Sequence, residues 1–335
     1  MNVYSSSVII VDSPFQLLCG IEFIQVEKLN EKGDVHLIAV NNKSKENIQQ
    51  IENLYKYYSQ NFCSYKKIEI KNKPGIINFY YYLNRYKSIT KSIDKLNVQT
   101  LMLGDYANGY FRHVANRTEY KRIIALDDGF GTLKTFNSEE WCFKDKKEDC
   151  KKVISFGYYN STKSNVELFT VFDSIVKYEN TIKNNFSFLR EAMIEVKKTN
   201  DSYIIGTPLV ESGIIENDTY LEYLRGITEK IGNRNIIYIS HRRETDWRLR
   251  EIADRFGFAV KRLAMPVELY FCMNKIIPKY IISFYSTSLY NLSKLFGSNT
   301  NIVSIKINSS HIKKGNKSID DVYKVLAREI LIDEL

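Results

Sequence analysis

Three short polar signatures carry the groups that could do chemistry in this chain, and each follows an apolar run directly. Asp127-Asp128-Gly129 follows Ile123-Ile124-Ala125-Leu126. His241-Arg242-Arg243-Glu244 follows Ile236-Ile237-Tyr238-Ile239-Ser240, and Ser286-Thr287-Ser288 follows Tyr280-Ile281-Ile282-Ser283-Phe284. A carboxylate can take the proton of an attacking hydroxyl, and a histidine among arginines can stabilise or protonate an anionic leaving group. Hydroxyls and unpaired amides at a helix start make a phosphate site. Pro266-Val267-Glu268 opens a further helix, and its carboxylate has two oxygens to offer the two hydroxyls of a ribose. One more acid, Glu211, lies in Gly206-Thr207-Pro208-Leu209-Val210-Glu211. Each feature also has a plain structural reading. The aspartates can be a turn, His241 can be satisfied by a backbone carbonyl, Ser286 can be an ordinary N-cap, and Glu268 can favour a helix dipole. The adjacent aspartates are not a DxD pair, and no metal-ligand spacing occurs.

The elements that must position these groups alternate. Strand-like runs at Ser7–Val11, Asp34–Val40, Lys67–Ile70, Gln99–Leu103 and Arg122–Leu126 are separated by helical patterns, as at Pro14–Val26, where Ser13 reads as a cap. Ile48, Ile51, Leu54 and Tyr58 mark another helix face over Lys45–Tyr58. Residues from about 135 to 165 read as a polar insertion, and a long helix is expected from about Val166 to Val196. The polar run Lys197–Ser202 marks a boundary, which predicts domains over 1–198 and 199–335. A second series of strands follows at Tyr203–Ile205, Asn235–Ser240, Phe258–Lys261, Tyr280–Phe284 and Asn301–Ile305, with helices between them and a last helix over 318–331 that could cross back onto the first half. Such alternation predicts an α/β fold with two Rossmann-like domains facing each other across a cleft. Ligands of open α/β sheets bind beyond the carboxyl ends of the strands, where all three signatures fall.

Bulk properties narrow the class. The 335 residues are 44% hydrophobic and 26% charged, values of a globular chain long enough for two cores. Five scattered cysteines, with no CxxC pair, suit a reducing compartment. The first residues lack a signal-peptide pattern, and no apolar stretch approaches the roughly 18 residues of a membrane span, so a cytoplasmic location is expected. The net charge of +9 is spread over lysine patches such as Lys66-Lys67, Lys146-Lys147 and Lys313-Lys314. These are either a solvated surface or an attraction to something anionic. The 24 tyrosines could stack on bases, but no nucleic-acid-binding motif accompanies them, so no nucleic-acid partner is expected.

Taken in order, Ser13-Pro14-Phe15-Gln16, Asp127-Asp128-Gly129, Gly206-Thr207-Pro208, His241-Arg242-Arg243, Pro266-Val267-Glu268-Leu269 and Phe284-Tyr285-Ser286-Thr287 span almost the whole chain. The chain resembles, on these elements, bacterial sialyltransferases of the GT-B architecture, above all glycosyltransferase family 52, with bacterial polysialyltransferases more distant. The resemblance implies an inverting transfer of sialic acid from CMP-sialic acid to a glycan acceptor, such as the terminal galactose of lipooligosaccharide or capsule, with no metal or cofactor. It further implies that His241 contacts the CMP phosphate with Arg242 beside it, Ser286 and Thr287 hold that phosphate, Glu268 binds the ribose, and Gly206, Thr207 and Pro208 approach the donor. Peripheral contact with the inner membrane and a homodimer are options that it leaves open. Two positions depart from the pattern. Arg242 stands where a proline is usual, and Leu209 stands where some members carry a candidate base. The base therefore divides between Asp128, Asp127 and Glu211. Competing readings are transfer of another CMP-nonulosonic acid (legionaminic or pseudaminic), polysialyl elongation, and a non-catalytic polyanion-binding protein.

Overall fold

The computed structural model describes residues 5–41, 44–71, 75–137, 158–159, 161, 163, 165–232 and 235–335. The chain forms two compact units, Met1–Phe188 and Leu189–Leu335. Each is a parallel sheet with helical connections.

In the first unit the strands are β1 (Ser6–Val11), β2 (Asp34–Asn41), β3 (Ser64–Glu69), β4 (Val98–Leu103), β5 (Arg122–Leu126), β6 (Val166–Thr170) and β7 (Thr181–Lys183). Their order is β3-β2-β1-β4-β5-β6-β7, and every pairing is parallel. Strand β1 is buried along its whole length, as a central parallel strand covered on both faces must be. Helix α1 (Pro14–Glu27) starts as its sequence predicts. Ser13 accepts from the Gln16 amide, Gln16 returns the bond through its side chain, and Pro14 occupies the first turn. The helix buries ten residues around most of its circumference, among them Gln16 and Glu22, so it lacks a polar face. Helices α2 (Lys45–Tyr57), α3 (Gly75–Ile93), α4 (Gly109–Arg117) and α5 (Phe130–Asn137) make the other connections.

The second unit repeats the plan. Its strands are β8 (Ser202–Ile205), β9 (Ile236–Ser240), β10 (Ala259–Arg262), β11 (Tyr280–Ser283), β12 (Asn301–Lys306) and β13 (Leu331–Glu334). They run in the order β10-β9-β8-β11-β12-β13, again all parallel. Helices α6 (Asn217–Ile231), α7 (Asp246–Phe256), α8 (Val267–Met273), α9 (Thr287–Phe296) and α10 (Asn316–Leu326) connect them. One core gathers Ile204, Tyr220, Leu224, Tyr238, Ile252 and Phe284.

Two expectations fail. The segment from Val166 to Val196 is not a long helix; it holds β6, β7 and a five-residue helix, Ser187–Glu191. Its apolar residues Leu168, Phe169 and Phe172 satisfy helical spacing by coincidence, because short buried strands also read as apolar runs. The last helix stops at Leu326, and the chain then adds β13 to the second sheet. The polar insertion expected over 135–165 lies mostly outside the described residues, as do Lys146 and Lys147.

Candidate functional site

Both sheets reverse direction at their first strand, β1 between β2 and β4, and β8 between β9 and β11. These are the switch points at which open α/β sheets hold ligands.

At the second switch point Gly206, Thr207 and Pro208 follow β8, His241 follows β9, and Ser286 and Thr287 follow β11. Ser240 pairs with Arg262, and Ile282 with Ile204, so the carboxyl ends of the strands lie level. With strands about 4.8 Å apart, the ends of β9 and β11 flank β8 at about 10 Å from each other. A buried network fixes the two loops nearest the sheet. The Tyr220 hydroxyl takes the Thr207 amide and bonds Tyr238 at 2.7 Å. Tyr238 donates to Glu244 Oε1 at 2.6 Å, and Glu244 Oε2 takes the His241 amide at 2.6 Å. Arg248, fully buried over the Tyr220 ring, donates through Nη2 to Glu244 and through Nε to Glu211 at 2.9 Å. Gly206 is required by this packing. A Cβ there would overlap Glu244 Oε2 and come within 2.7 Å of the Tyr238 hydroxyl.

The imidazole of His241 is neutral. Burial, with Arg242 and Arg243 beside it, lowers its pKa to about 3. Its Nδ1 accepts from the Arg243 amide at 3.1 Å, which leaves the ring proton on Nε2. Burial lifts the Glu244 carboxyl to about 7 against the pull of Arg248, Tyr238 and the His241 amide. Arg243 acts electrostatically on the Tyr285 hydroxyl, so the loops after β9 and β11 lie within charge range of each other. Thr207 Oγ1 meets Ser283 Oγ at 3.1 Å. Ser286 caps α9 by accepting from the Ser288 amide, which leaves its own proton to donate. Glu268 is almost fully buried, accepts from Asn291 Nδ2 at 2.8 Å and is also bonded by the Ser288 hydroxyl; burial raises its pKa. Gly206, Thr207, His241, Arg242, Glu268, Ser286 and Thr287 thus belong to one edge of one sheet.

Glu211 is held differently from a free base. Its Oε1 takes both Arg248 Nε and the Thr245 amide, and so ties the loop after β8 to the start of α7.

At the first switch point the groups are acidic. Asp127 is fully buried, with one oxygen accepting from Thr170 Oγ1 at 2.6 Å and the other from the Val171 amide at 2.7 Å. Burial raises its pKa to about 7 despite these bonds. It joins the end of β5 to that of β6. Asp128, its half-buried neighbour, receives Gln16 Nε2 on Oδ1 at 2.8 Å and donates its amide to Thr132 Oγ1 at 2.8 Å. The two acids that read alike in sequence are therefore differently placed. The bracing residues Tyr220, Tyr238, Glu244 and Arg248, and the partners Asp12 and Gln16, were not assigned roles from sequence. The spacing of Glu244 and Arg248, four residues apart at a helix start, is the one signal that could have revealed a pair.

Among the described residues no group of three or more His, Cys, Asp or Glu could hold a metal ion, and no helix is long and apolar enough to cross a membrane.

No known family pattern and no curated protein sequence matches the chain. Solved structures do. A UDP-N-acetylglucosamine 2-epimerase from Rickettsia bellii is similar over 96% of this chain and 88% of its own, with 12% identity and a TM-score of 0.52. UGT89C1 of Arabidopsis thaliana in complex with quercetin is similar over 98% and 85%, with 7% identity and a TM-score of 0.52. In complex with UDP the same protein covers 98% and 86%, with 7% identity and a TM-score of 0.51. At such identities the likeness is one of fold, and it agrees with the strand orders: this chain has the α/β fold of GT-B enzymes, with two Rossmann-like units.

Proposed function

We propose that this protein is a glycosyltransferase whose second unit holds a nucleotide-activated sugar and whose first unit supplies the base, and that the donor is CMP-sialic acid or another CMP-nonulosonic acid. The observation that carries the reading is the convergence of Gly206-Thr207, His241 and Ser286-Thr287 at one switch point, braced from behind by the network around Glu244. Neutral His241 offers Nε2–H, and Ser286 offers its hydroxyl at the positive end of the α9 dipole. These donors suit a phosphate on which charge grows as the sugar leaves. Donors already fixed by the fold favour that state over the bound donor, because they need not reorganise. In the transfer the acceptor hydroxyl gives its proton to Asp128 and its oxygen bonds the anomeric carbon. The bond from that carbon to the phosphate oxygen breaks, and CMP departs with the electron pair. Glu268 would reach the ribose, and the resemblance to family 52 supports the choice of cytidine.

A UDP-sugar is the second reading, favoured by the similar solved structures, of which one is a complex with UDP and another a UDP-N-acetylglucosamine 2-epimerase. One experiment separates them. The purified protein is given CMP-sialic acid, CMP-legionaminic acid and UDP-N-acetylglucosamine with a panel of galactose-terminated acceptors, and nucleotide release is measured. CMP release that falls at least 100-fold in His241→Ala, with CMP affinity changed far less, is expected. UDP release alone would replace the donor, and release of neither would remove the transferase reading.

A further inference from the structure

The first unit carries an arrangement that the proposed reaction does not by itself require. Gln16, fully buried, spends its whole hydrogen-bonding capacity on one spot. Its Oε1 accepts from the amides of Asp12 at 2.8 Å and Ser13 at 3.2 Å. Its Nε2 donates to Asp12 Oδ1 at 3.0 Å and to Asp128 Oδ1 at 2.8 Å. One amide therefore bridges two carboxylates from the ends of two strands, β1 and β5, across the end of β4 that lies between them. Gly104, just past β4, leaves the room that the bridge occupies. A Cβ there would lie 2.8 Å from Gln16 Cδ and overlap Oε1. Asp12 is 2% exposed, whereas Asp128 is half-buried.

A bond network of this kind is more than a helix cap. The capping box needs only the exchange between Ser13 and Gln16. The second amide hydrogen could have met water, yet it is committed to a residue 112 positions away. Two like charges held on one amide are also an unfavourable arrangement for stability alone. Asp127 is excluded from the same role because both its oxygens are consumed in joining β5 to β6.

We propose that Gln16 and Asp12 are positioning residues for the base of the reaction proposed above: Gln16 fixes the plane of the Asp128 carboxylate by its Oδ1, and the charge of Asp12, delivered through the same amide, makes Asp128 a better proton acceptor. The assignment rests on the transferase reading. Asp12, just past β1, and Asp127, just past β5, are carboxylates that act on Asp128, so removal of the Asp12 charge eases ionisation of Asp128.

The test uses the full chain with the donor found to release nucleotide. Gln16→Met removes both amide hydrogens at similar volume. It is expected to lower kcat about 100-fold or more, the scale of lost general-base catalysis, while donor KM moves less than threefold. Asp12→Asn keeps an acceptor for the amide and removes the charge. It is expected to shift the acidic limb of the kcat–pH profile to lower pH, which a purely structural role would not do. Should Gln16→Met fail to fold, the Asp12→Asn profile decides alone. A folded Gln16→Met with wild-type kcat, or an unmoved acidic limb in Asp12→Asn, overturns the assignment while the transferase reading stands. No nucleotide release by the wild-type protein from any donor overturns both.

Discussion

The two sheets have the same strand order through their first six strands and opposite chemistry at their carboxyl ends. In the first, the switch point presents carboxylates: Asp12 and Asp128 on one amide, and Asp127 beside them. In the second it presents donors: a neutral imidazole, hydroxyls, a helix start and three arginines near them. The bracing differs too. A neutral side chain, Gln16, organises the acidic edge, whereas a buried ion pair, Glu244 with Arg248, organises the donor edge. The lesson is that a parallel sheet fixes where a site lies, and the buried polar residues behind its edge decide which sign of charge the site tolerates.

The contrast can be broken most sharply at Glu244. Glu244→Ala leaves buried Arg248 with Glu211 as its one remaining carboxylate and unpairs the Tyr238 hydroxyl and the His241 amide, and a loss of about 3 kcal/mol is expected in denaturant unfolding. Removal of a neutral bridge such as Gln16 should cost less. Asp127 sharpens the comparison through pH. Its folded pKa of about 7 lies above its ordinary value of 3.8, so the folded chain keeps a proton that the unfolded chain has lost. Stability should therefore fall as pH rises between those two values, by about 1.4 kcal/mol per pH unit, and level off above 7. Asp127→Asn, read by unfolding between pH 5 and 8, should be flatter by that slope. The smallest effects are expected from two glycines. Gly206→Ala and Gly104→Ala should each cost about 1–3 kcal/mol through overpacking. Gly206→Ala should chiefly raise donor KM, and Gly104→Ala should chiefly lower kcat. The same split in both variants would mean that the two edges do not divide the work.

Much of this was legible before the structure. The alternation of apolar runs and helical patterns gives both sheets, and Ser13 with Pro14 gives the start of α1 to the residue. The polar signatures fall at strand ends because a chain leaving a buried strand must satisfy its backbone there. The long helix over 166–196 misled because Leu168, Phe169, Phe172, Ile175 and Val176 fit a helical stripe, while the unit in fact buries most of them in and just beyond β6. Asp127 and Asp128 could not be told apart from sequence. Their difference arises from Thr170, 43 residues on, and from Gln16, 112 residues back, which are pairings of tertiary structure. The ion pair behind His241 was hidden for the same reason. Glu244 and Arg248 look like surface residues of an amphipathic helix until Tyr220 and Tyr238 are folded over them.

The amide of Arg243, seated on one ring nitrogen of His241, restricts more than a proton. The ring's one in-plane lone pair is occupied by that amide and its other nitrogen carries the proton, so an electrophile that carbethoxylates or alkylates an ordinary neutral imidazole should react slowly here. Inhibitors reaching for the ring inherit the same constraint, since the edge left open presents an N–H and is met by an acceptor, not by a donor or a metal-binding group.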